Sequence, residues 1–463
     1  MSRVRRNVSS LFASELARRI LGFFAVAYLA RTLGVEGFGM VMIGLTVLSY
    51  VSLTGSGGLH VLATRNVARD GGSVDAGSIV GTRLVNTLVA IGLVAMSTAT
   101  WVVPAALAEV VLITSLSGMS HALFLEWYFQ GKEQMTETAV ARTLGAALYL
   151  ASLLALVHGP DDLRSAALAA VIGDLGSTGY LLVRYRRMYG RLRIHFRSWL
   201  PLMRSALPFG AGSVLGHLSV NFPILAVGAL LGSAEAGVFS GANKLVFFLL
   251  MVDRILGTML LPASVRLQLA ADERLSATLA EALRWIVLVG LPLCIGGMFL
   301  ATPLVTLVYG GTFAASGAVF GILVWYVLLT MIHTVYTSGV LATGREDRYR
   351  NVMVVSAILY VVAVSGGILM GGAVGAAAGV LLAEGVTVIL MERALRPALQ
   401  VLIPARFGRI VTAGIVLAAS LTFLPPMHVS ISVAAGAVVY IVAAVGVQAV
   451  TVPELREMIR RFA

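Results

Sequence analysis

Residues 351–390 read NVMVVSAILY VVAVSGGILM GGAVGAAAGV LLAEGVTVIL. Across this stretch one side chain, Glu384, carries a formal charge, and the pair Gly371-Gly372 stands at its middle. A helix needs about 20 apolar residues to cross roughly 30 Å of hydrocarbon. The stretch therefore reads as two crossings, near 351–371 and 373–392, joined by a tight helical hairpin at the glycines. Arginines lie just outside it at both ends (Arg348, Arg350, Arg393, Arg396), which places both ends on one basic side.

The whole chain has the same character. Of 463 residues, 58% are hydrophobic and 12% charged, with a mean hydropathy of +0.92. A soluble domain carries about 25% charged residues, so a cytosolic enzyme, a secreted scaffold and a disordered protein are all excluded. Further apolar runs fall near 9–31, 38–61, 79–103, 107–128, 137–158, 165–187, 205–231, 236–262, 281–302, 316–341, 408–425 and 429–450. The expected fold is an all-α polytopic membrane protein of 12–14 transmembrane helices. The single cysteine, Cys294, lies in an apolar run, so neither a disulfide nor a cysteine metal cluster is expected.

The net charge of +12 follows from topology. With the N-terminus in the cytoplasm, the outer connections hold Arg31 and Arg164, while Arg18, Arg19, Lys244 and Arg254 lie within spans. All other cations then fall on inner loops, tails or inner helix ends, densest at Arg184, Arg186, Arg187, Arg191, Arg193, Arg197 and Arg204. Cytoplasmic loops are enriched in Lys and Arg, so both termini are expected inside and no nucleic-acid partner is expected. Arg3, Arg5 and Arg6 imitate the start of a signal peptide, but Glu15, Arg18 and Arg19 interrupt the apolar region it would need. The first helix is read as retained.

The basic segment at 184–204 divides the chain into an N-terminal six-helix lobe (1–190) and a C-terminal six-helix lobe (191–400). An additional helix pair and cytoplasmic tail (401–463) follow. The first span exits through Leu33-Gly34-Val35-Glu36-Gly37-Phe38-Gly39 and the seventh through Leu231-Gly232-Ser233-Ala234-Glu235-Ala236-Gly237. Leu, Gly and the closing Gly coincide in the two exits, which suggests a parallel repeat of the kind transporters build around a midplane site.

Ionisable groups at mid-depth cost about 2.5–3.5 kcal/mol on insertion scales and normally face a cavity or a partner. Glu15, Arg18 and Arg19 share one helix face, about 15 Å into the first span. They form either a self-neutralising group or a cavity lining with surplus positive charge. Lys244, one of two lysines in the chain, lies mid-depth in the eighth span. Arg254 lies ten residues further on, about 80° away around a continuous helix, where it borders the same cavity or snorkels to the interface. Asp253 points elsewhere, toward another helix. His217 and Asn221, one turn apart on the seventh span, are candidate polar contacts for a ligand. Asp174 and Glu384, mid-helix on the sixth and twelfth spans, are ion-coupling candidates or neutralise the cations, with Glu15 in the same class. His121 and His333 read as packing or water-facing groups. Gly371, Gly375 and Gly379 form a close-packing row.

Gly55-Ser56-Gly57-Gly58 lacks a preceding strand and fails the dinucleotide pattern. No nucleotide, zinc or triad motif appears, and no cofactor is expected. Surplus buried cations select an anionic head, and guanidinium groups suit pyrophosphate because they donate in pairs.

Several segments resemble the polysaccharide (Wzx-type) flippases of the multidrug/oligosaccharidyl-lipid/polysaccharide (MOP) exporter superfamily. They are Leu29-Ala30-Arg31-Thr32-Leu33-Gly34 with Phe38-Gly39, and Glu126-Trp127-Tyr128-Phe129-Gln130-Gly131 running on to Met135. Leu307-Val308-Tyr309-Gly310 with Phe313, and Leu341-Ala342-Thr343-Gly344, complete the set. The resemblance spans about residues 1–400. It implies two six-helix lobes and alternating-access transfer of an undecaprenyl-pyrophosphate-linked oligosaccharide to the outer leaflet of the cell membrane. It also implies a cationic cavity, placed here at Arg18, Arg19, Lys244 and Arg254, and pathway partners such as a glycan polymerase and glycosyltransferases. Fourteen helices would also fit the lipid II flippase branch, whose own motifs are not seen. Two other functions compete. A cation-coupled multidrug exporter would depend on Asp174 or Glu384 and not on Arg18. A membrane glycan polymerase or ligase would need a large outer loop with catalytic Arg or His, whereas the longest outer connection, about 303–315, has neither.

Overall fold

The computed structural model of the chain describes residues 2–69, 75–101, 103–196, 199–270, 274–399, 405–423, 428–451 and 453–454; the side chains of 2–15, 211–215 and 218–219 lie outside that description. Among the described residues the chain is helical and has no strand. The elements are α1 (Ser2–Ser56), α2 (Leu59–Arg69), α3 (Ala76–Thr100), α4 (Ala105–Leu116), α5 (Gly118–Leu123), α6 (Glu126–Gly131), α7 (Met135–Leu156), α8 (Leu163–Tyr189) and α9 (Trp199–Leu231). They continue with α10 (Ser233–Leu249), α11 (Met251–Leu269), α12 (Arg274–Phe299), α13 (Ala301–Tyr309), α14 (Ser316–Ala342), α15 (Glu346–Leu395), α16 (Phe407–Phe423) and α17 (Val429–Gly446).

Ten helical segments among the described residues are long and apolar enough to cross a membrane. Two of them are double. α15, at 50 residues, would extend about 75 Å if straight, more than twice the hydrocarbon thickness. It turns instead at Gly371 and Gly372, where the backbone leaves helical geometry (φ 60° at Gly372). The two limbs then pack face to face: a Cβ on Gly375 would lie 1.9 Å from the Gly367 carbonyl oxygen, and one on Gly379 would lie 2.3 Å from that of Ala363. α1 breaks in the same manner at Gly34 (φ 69°). Shorter apolar helices at Val220–Leu231 and Phe407–Phe423 accompany the ten. The fourth expected span is built from α4, α5 and α6 in succession over Ala105–Gly131. Residues 303–315, expected as an open connection, are mostly α13 and a one-turn 3-10 helix, Gly311–Phe313. Tyr309 and Phe313 bury their rings there against each other, 5.3 Å apart.

Contacts group the chain into two compact units, Met1–Ser240 and Gly241–Ala463. The sequence division at 190/191 marks the basic segment, whereas the compact units divide later because α9 packs on α1, α2 and α3. In the first unit Leu59, Val80, Trp127, Phe129, Leu181 and Ala206 form a buried core between α2, α3, α6, α8 and α9. Trp127 and Phe129 of the Glu126–Gly131 segment are wholly buried. Glu126 accepts from Arg142 at 2.5 Å and from Gln130 at 2.8 Å, so that segment works as a packing bracket.

The paired glycine turns are part of this unit. Gly34 and Gly232 both adopt positive φ (69° and 91°), which costs glycine nothing and other residues about 1–2 kcal/mol. A Cβ on Gly39 would lie 1.9 Å from the Ser233 carbonyl oxygen, and one on Gly237 would lie 2.0 Å from that of Val35. Gly39 corresponds to Gly237 and Val35 to Ser233 in the aligned exits, so each turn rests on the other through equivalent residues. The two exits matched in the sequence thus meet in a reciprocal backbone contact.

In the second unit α14 is central, packed by α11, α12 and α15. α16 and α17 pack on α12 through Ile410, Ala413, Leu417 and Tyr440, and the Tyr440 hydroxyl donates to the Leu288 carbonyl at 2.7 Å.

Candidate functional site

The candidate residues fall on helices of both units. On α1, Arg18 and Arg19 are half-buried; the Glu15 side chain lies outside the described residues. On α9, His217 and Asn221 are half-buried one turn apart. Pro208 and Pro223 lie on either side of them; each removes a backbone donor from the i→i−4 ladder.

In the second unit, Lys244 is half-buried on α10 within an apolar segment running Ser233–Leu269. Among the described residues it forms no hydrogen bond or ion pair, and none of them is an acid acting on it. An ammonium deprived of water without a partner is costly. Arg254 is exposed on α11. α10 stops at Leu249 and α11 starts at Met251, so the angular reckoning from Lys244, which assumed one continuous helix, does not carry across Leu250. Asp253 meets another helix as expected: Thr334 of α14 donates to its Oδ1 at 2.7 Å.

The mid-helix carboxylates are engaged by histidines and hydroxyls. Asp174 of α8 has His121 Nε2 of α5 at 3.1 Å, and Ser117 Oγ donates to its Oδ2 at 2.5 Å. His121 Nδ1 in turn lies 2.6 Å from Ser52 Oγ of α1. Glu384 on the second limb of α15 has His333 Nδ1 of α14 at 2.8 Å, and the Tyr360 hydroxyl of the first limb donates to its Oε2 at 2.6 Å. Asp174 does not pair with Arg18 or Arg19, nor Glu384 with Lys244 or Arg254. His121 and His333, read in the sequence as packing or water-facing groups, are thus partners of the two carboxylates. The signal available beforehand was that both histidines lie in spans.

Below His121, Arg83 of α3 is buried and donates to the carbonyls of Phe124 (3.0 Å) and His121 (2.5 Å), which fixes the turn carrying the histidine. Outside the spans, Asp162 precedes α8 and accepts from the amides of His158 (2.8 Å) and Gly159 (3.0 Å). These two bonds hold its carboxyl below the ordinary value of 3.8.

The second unit also contains an apolar cavity of about 500 Å³ lined by α10, α12, α13, α14, α16 and α17, among them Leu245, Phe248, Pro292, Leu421, Tyr440 and Ile441. Leu245 and Phe248 of α10 line it, whereas Lys244 on the same helix does not. Among the described residues no cluster of three His, Cys, Asp or Glu is arranged to hold a metal ion.

A family profile described as polysaccharide biosynthesis protein matches residues 4–268. A protein of Escherichia coli (strain K12) named for O-antigen transport is 23% identical over 256 residues, which cover 52% of this chain and 60% of that protein. The lipopolysaccharide biosynthesis protein WzxC of the same organism is 27% identical over 231 residues, covering 48% of this chain and 46% of that one. The matches thus span about half the length of these curated relatives. Among solved structures the fold is similar to that of the lipid II flippase MurJ in an inward closed conformation. That likeness has a TM-score of 0.77 at 12% identity over 94% of this chain and 98% of that one. It is also similar to an inward-facing multidrug resistance MATE family transporter of the MOP superfamily, with a TM-score of 0.64 at 13% identity over 82% and 94% of the two chains.

Proposed function

The chain belongs to the polysaccharide biosynthesis protein family, and from that premise we propose that it flips a lipid-linked oligosaccharide across the cell membrane. The substrate is an oligosaccharide on undecaprenyl pyrophosphate, moved from the inner to the outer leaflet by alternating access for cell-surface polysaccharide assembly. The protein acts as a transporter and makes or breaks no covalent bond. It works between glycosyltransferases on the cytoplasmic side and a glycan polymerase on the outer side, with both of its termini in the cytoplasm.

The observation that carries this reading is Lys244, an ammonium within an apolar segment that has no acidic partner among the described residues. A pyrophosphate supplies the charge it lacks, and Arg18, Arg19 and Arg254 add guanidinium donors along the path, with His217 and Asn221 as polar contacts. The apolar cavity of the second unit, lined in part by α10, suits the isoprenoid tail.

The test uses the purified protein in liposomes containing undecaprenyl pyrophosphate linked to a short labelled oligosaccharide. The sugar should become accessible to an added glycosidase on the far side. Lys244→Ala should lower that rate at least tenfold at equal protein content, while Lys244→Arg retains part of it. Equal rates for parent and Lys244→Ala, or accessibility no faster than in empty liposomes, would overturn the proposal.

A further inference from the structure

Two histidine–carboxylate pairs stand at matching crossings of the two halves. In the first, the histidine is on the fourth span (His121) and the carboxylate on the sixth (Asp174), 3.1 Å apart. In the second, the histidine is on the tenth (His333) and the carboxylate on the twelfth (Glu384), 2.8 Å apart.

We propose that each pair is a proton-binding site, and that the exporter's coupling ion is the proton, bound once in each half. This rests on the transport reading above and names the ion that drives it. The chemistry follows from the ligands. Hard cations such as sodium or magnesium take shells of oxygen ligands, whereas here one flank of each carboxylate is occupied by an imidazole nitrogen. A nitrogen 2.8–3.1 Å from a carboxylate oxygen is hydrogen-bond geometry, and it takes up one side of the carboxylate that an oxygen-coordinated cation would use. Imidazole is also the side chain whose class changes charge between about pH 5 and 8. A carboxylate facing hydrocarbon is costly when ionised. One further proton taken up by the carboxylate of each pair turns it from a net anion into a net neutral group.

The surroundings keep each site responsive to that proton. Around Asp174 stand hydroxyls, Ser117 on the same carboxylate oxygen and Ser52 on the far nitrogen of His121. The neighbouring titratable groups are Tyr149 of α7 and Arg83 of α3, the latter bonded to the His121 carbonyl. Around Glu384 stand Tyr360 and Tyr326 of α14, with Asp253 of α11 acting through space on His333 and Glu384, and Arg254 acting on Asp253. Among the described residues no guanidinium or ammonium bonds either carboxylate directly. The pairs differ in access. The His121 and Asp174 side chains are about a third exposed (36% and 31%), whereas those of His333 and Glu384 are 17% and 5% exposed. The second pair is therefore the more deeply buried of the two.

Two measurements on the full-length protein test this. Infrared difference spectra of the purified protein between pH 5 and pH 9, without substrate, should show two carboxyl transitions. Asp174→Asn or His121→Gln should remove or shift one, and Glu384→Gln or His333→Gln the other. In liposomes without sodium, an imposed pH gradient should raise flipping several-fold. Each single-pair variant should lose the gradient-driven part and keep slow, gradient-independent exchange of the labelled lipid. Size-exclusion profiles matched to the parent show that the variants fold. Absence of the carboxyl transitions, or stimulation by a sodium gradient and not by a pH gradient, would overturn the proposal. Intact carboxyl transitions in a protein that flips nothing would instead overturn the transport reading and leave proton binding standing.

Discussion

Glu454 closes a small charge network after α17. It accepts from the Thr451 amide at 2.7 Å, from Arg284 of α12 at 3.1 Å and from Arg406 at 3.2 Å. Desolvation pushes its carboxyl up, but the Thr451 amide and hydroxyl and the Arg284 guanidinium outweigh it and hold the group at about 2, against an ordinary 4.5. A depressed carboxylate contributes stability above its unfolded value and loses it as pH falls through the folded one. A hydrogen-bonded charge of this sort is worth about 1.5–3 kcal/mol. We therefore expect Glu454→Gln to lower the melting temperature in detergent by a constant amount above about pH 4.5, and the gap to narrow as pH falls toward 2. A gap independent of pH across that window would show that the network contributes through packing alone. Residues of this kind mark the limit of sequence reading. Asp174, Glu384 and Lys244 were legible as charged side chains in apolar runs. The partners of the two carboxylates were not, because His333 is 51 positions from Glu384 and helical periodicity gives a face without naming the helix that covers it.

At the scale of elements, glycine sets where helices turn and how closely they cross. The Gly371-Gly372 hairpin was legible because two glycines interrupt an apolar run too long for one crossing. The division of the eighth span at Leu250 was not, since Leu249-Leu250-Met251 contains no breaker and the interruption is one of backbone geometry alone. Of the close-packing row read at Gly371, Gly375 and Gly379, Gly371 lies at the turn with open space around it, while Gly375 and Gly379 make the close crossing, Gly375 against Gly367. A Cβ on Gly375 would meet the Gly367 carbonyl oxygen at 1.9 Å, whereas one on Gly366 would meet nothing within 4 Å. Overpacking costs typically 1–3 kcal/mol, and this clash is with backbone, which cannot turn aside. Gly375→Val should lower the amount of folded protein in the membrane several-fold and separate Tyr360 from Glu384 on the facing limbs. Gly366→Ala should match the parent in both abundance and melting temperature. Equal abundance for the two variants would mean that the limbs are held by contacts other than this crossing.

At the scale of the molecule, the arginines describe an axis. The acidic and basic groups that flank the spans on one side are few: Arg164 stands in the first turn of α8, 3.4 Å from Glu109. The sequence carries a basic run from Arg184 to Arg204 and further arginines at the start of α15, Arg345–Arg350. Cytoplasmic loops are enriched in such cations, so we expect these basic segments on the cytoplasmic side, where an anionic headgroup would be collected. The lone cysteine makes this orientation measurable, because Cys294 is buried with its Sγ donating to the Val324 carbonyl at 3.3 Å. In a Cys294→Ala background, Arg164→Cys and Arg350→Cys each place one thiol at a position that is 73% and 67% exposed. Each removes only a surface ion pair, worth about 0–1 kcal/mol. A membrane-impermeant maleimide applied to intact cells should label Arg164→Cys and leave Arg350→Cys unlabelled until the membrane is permeabilised. The reverse pattern would invert the molecule, put the basic face outside, and require the lipid-linked glycan to be collected from the opposite leaflet.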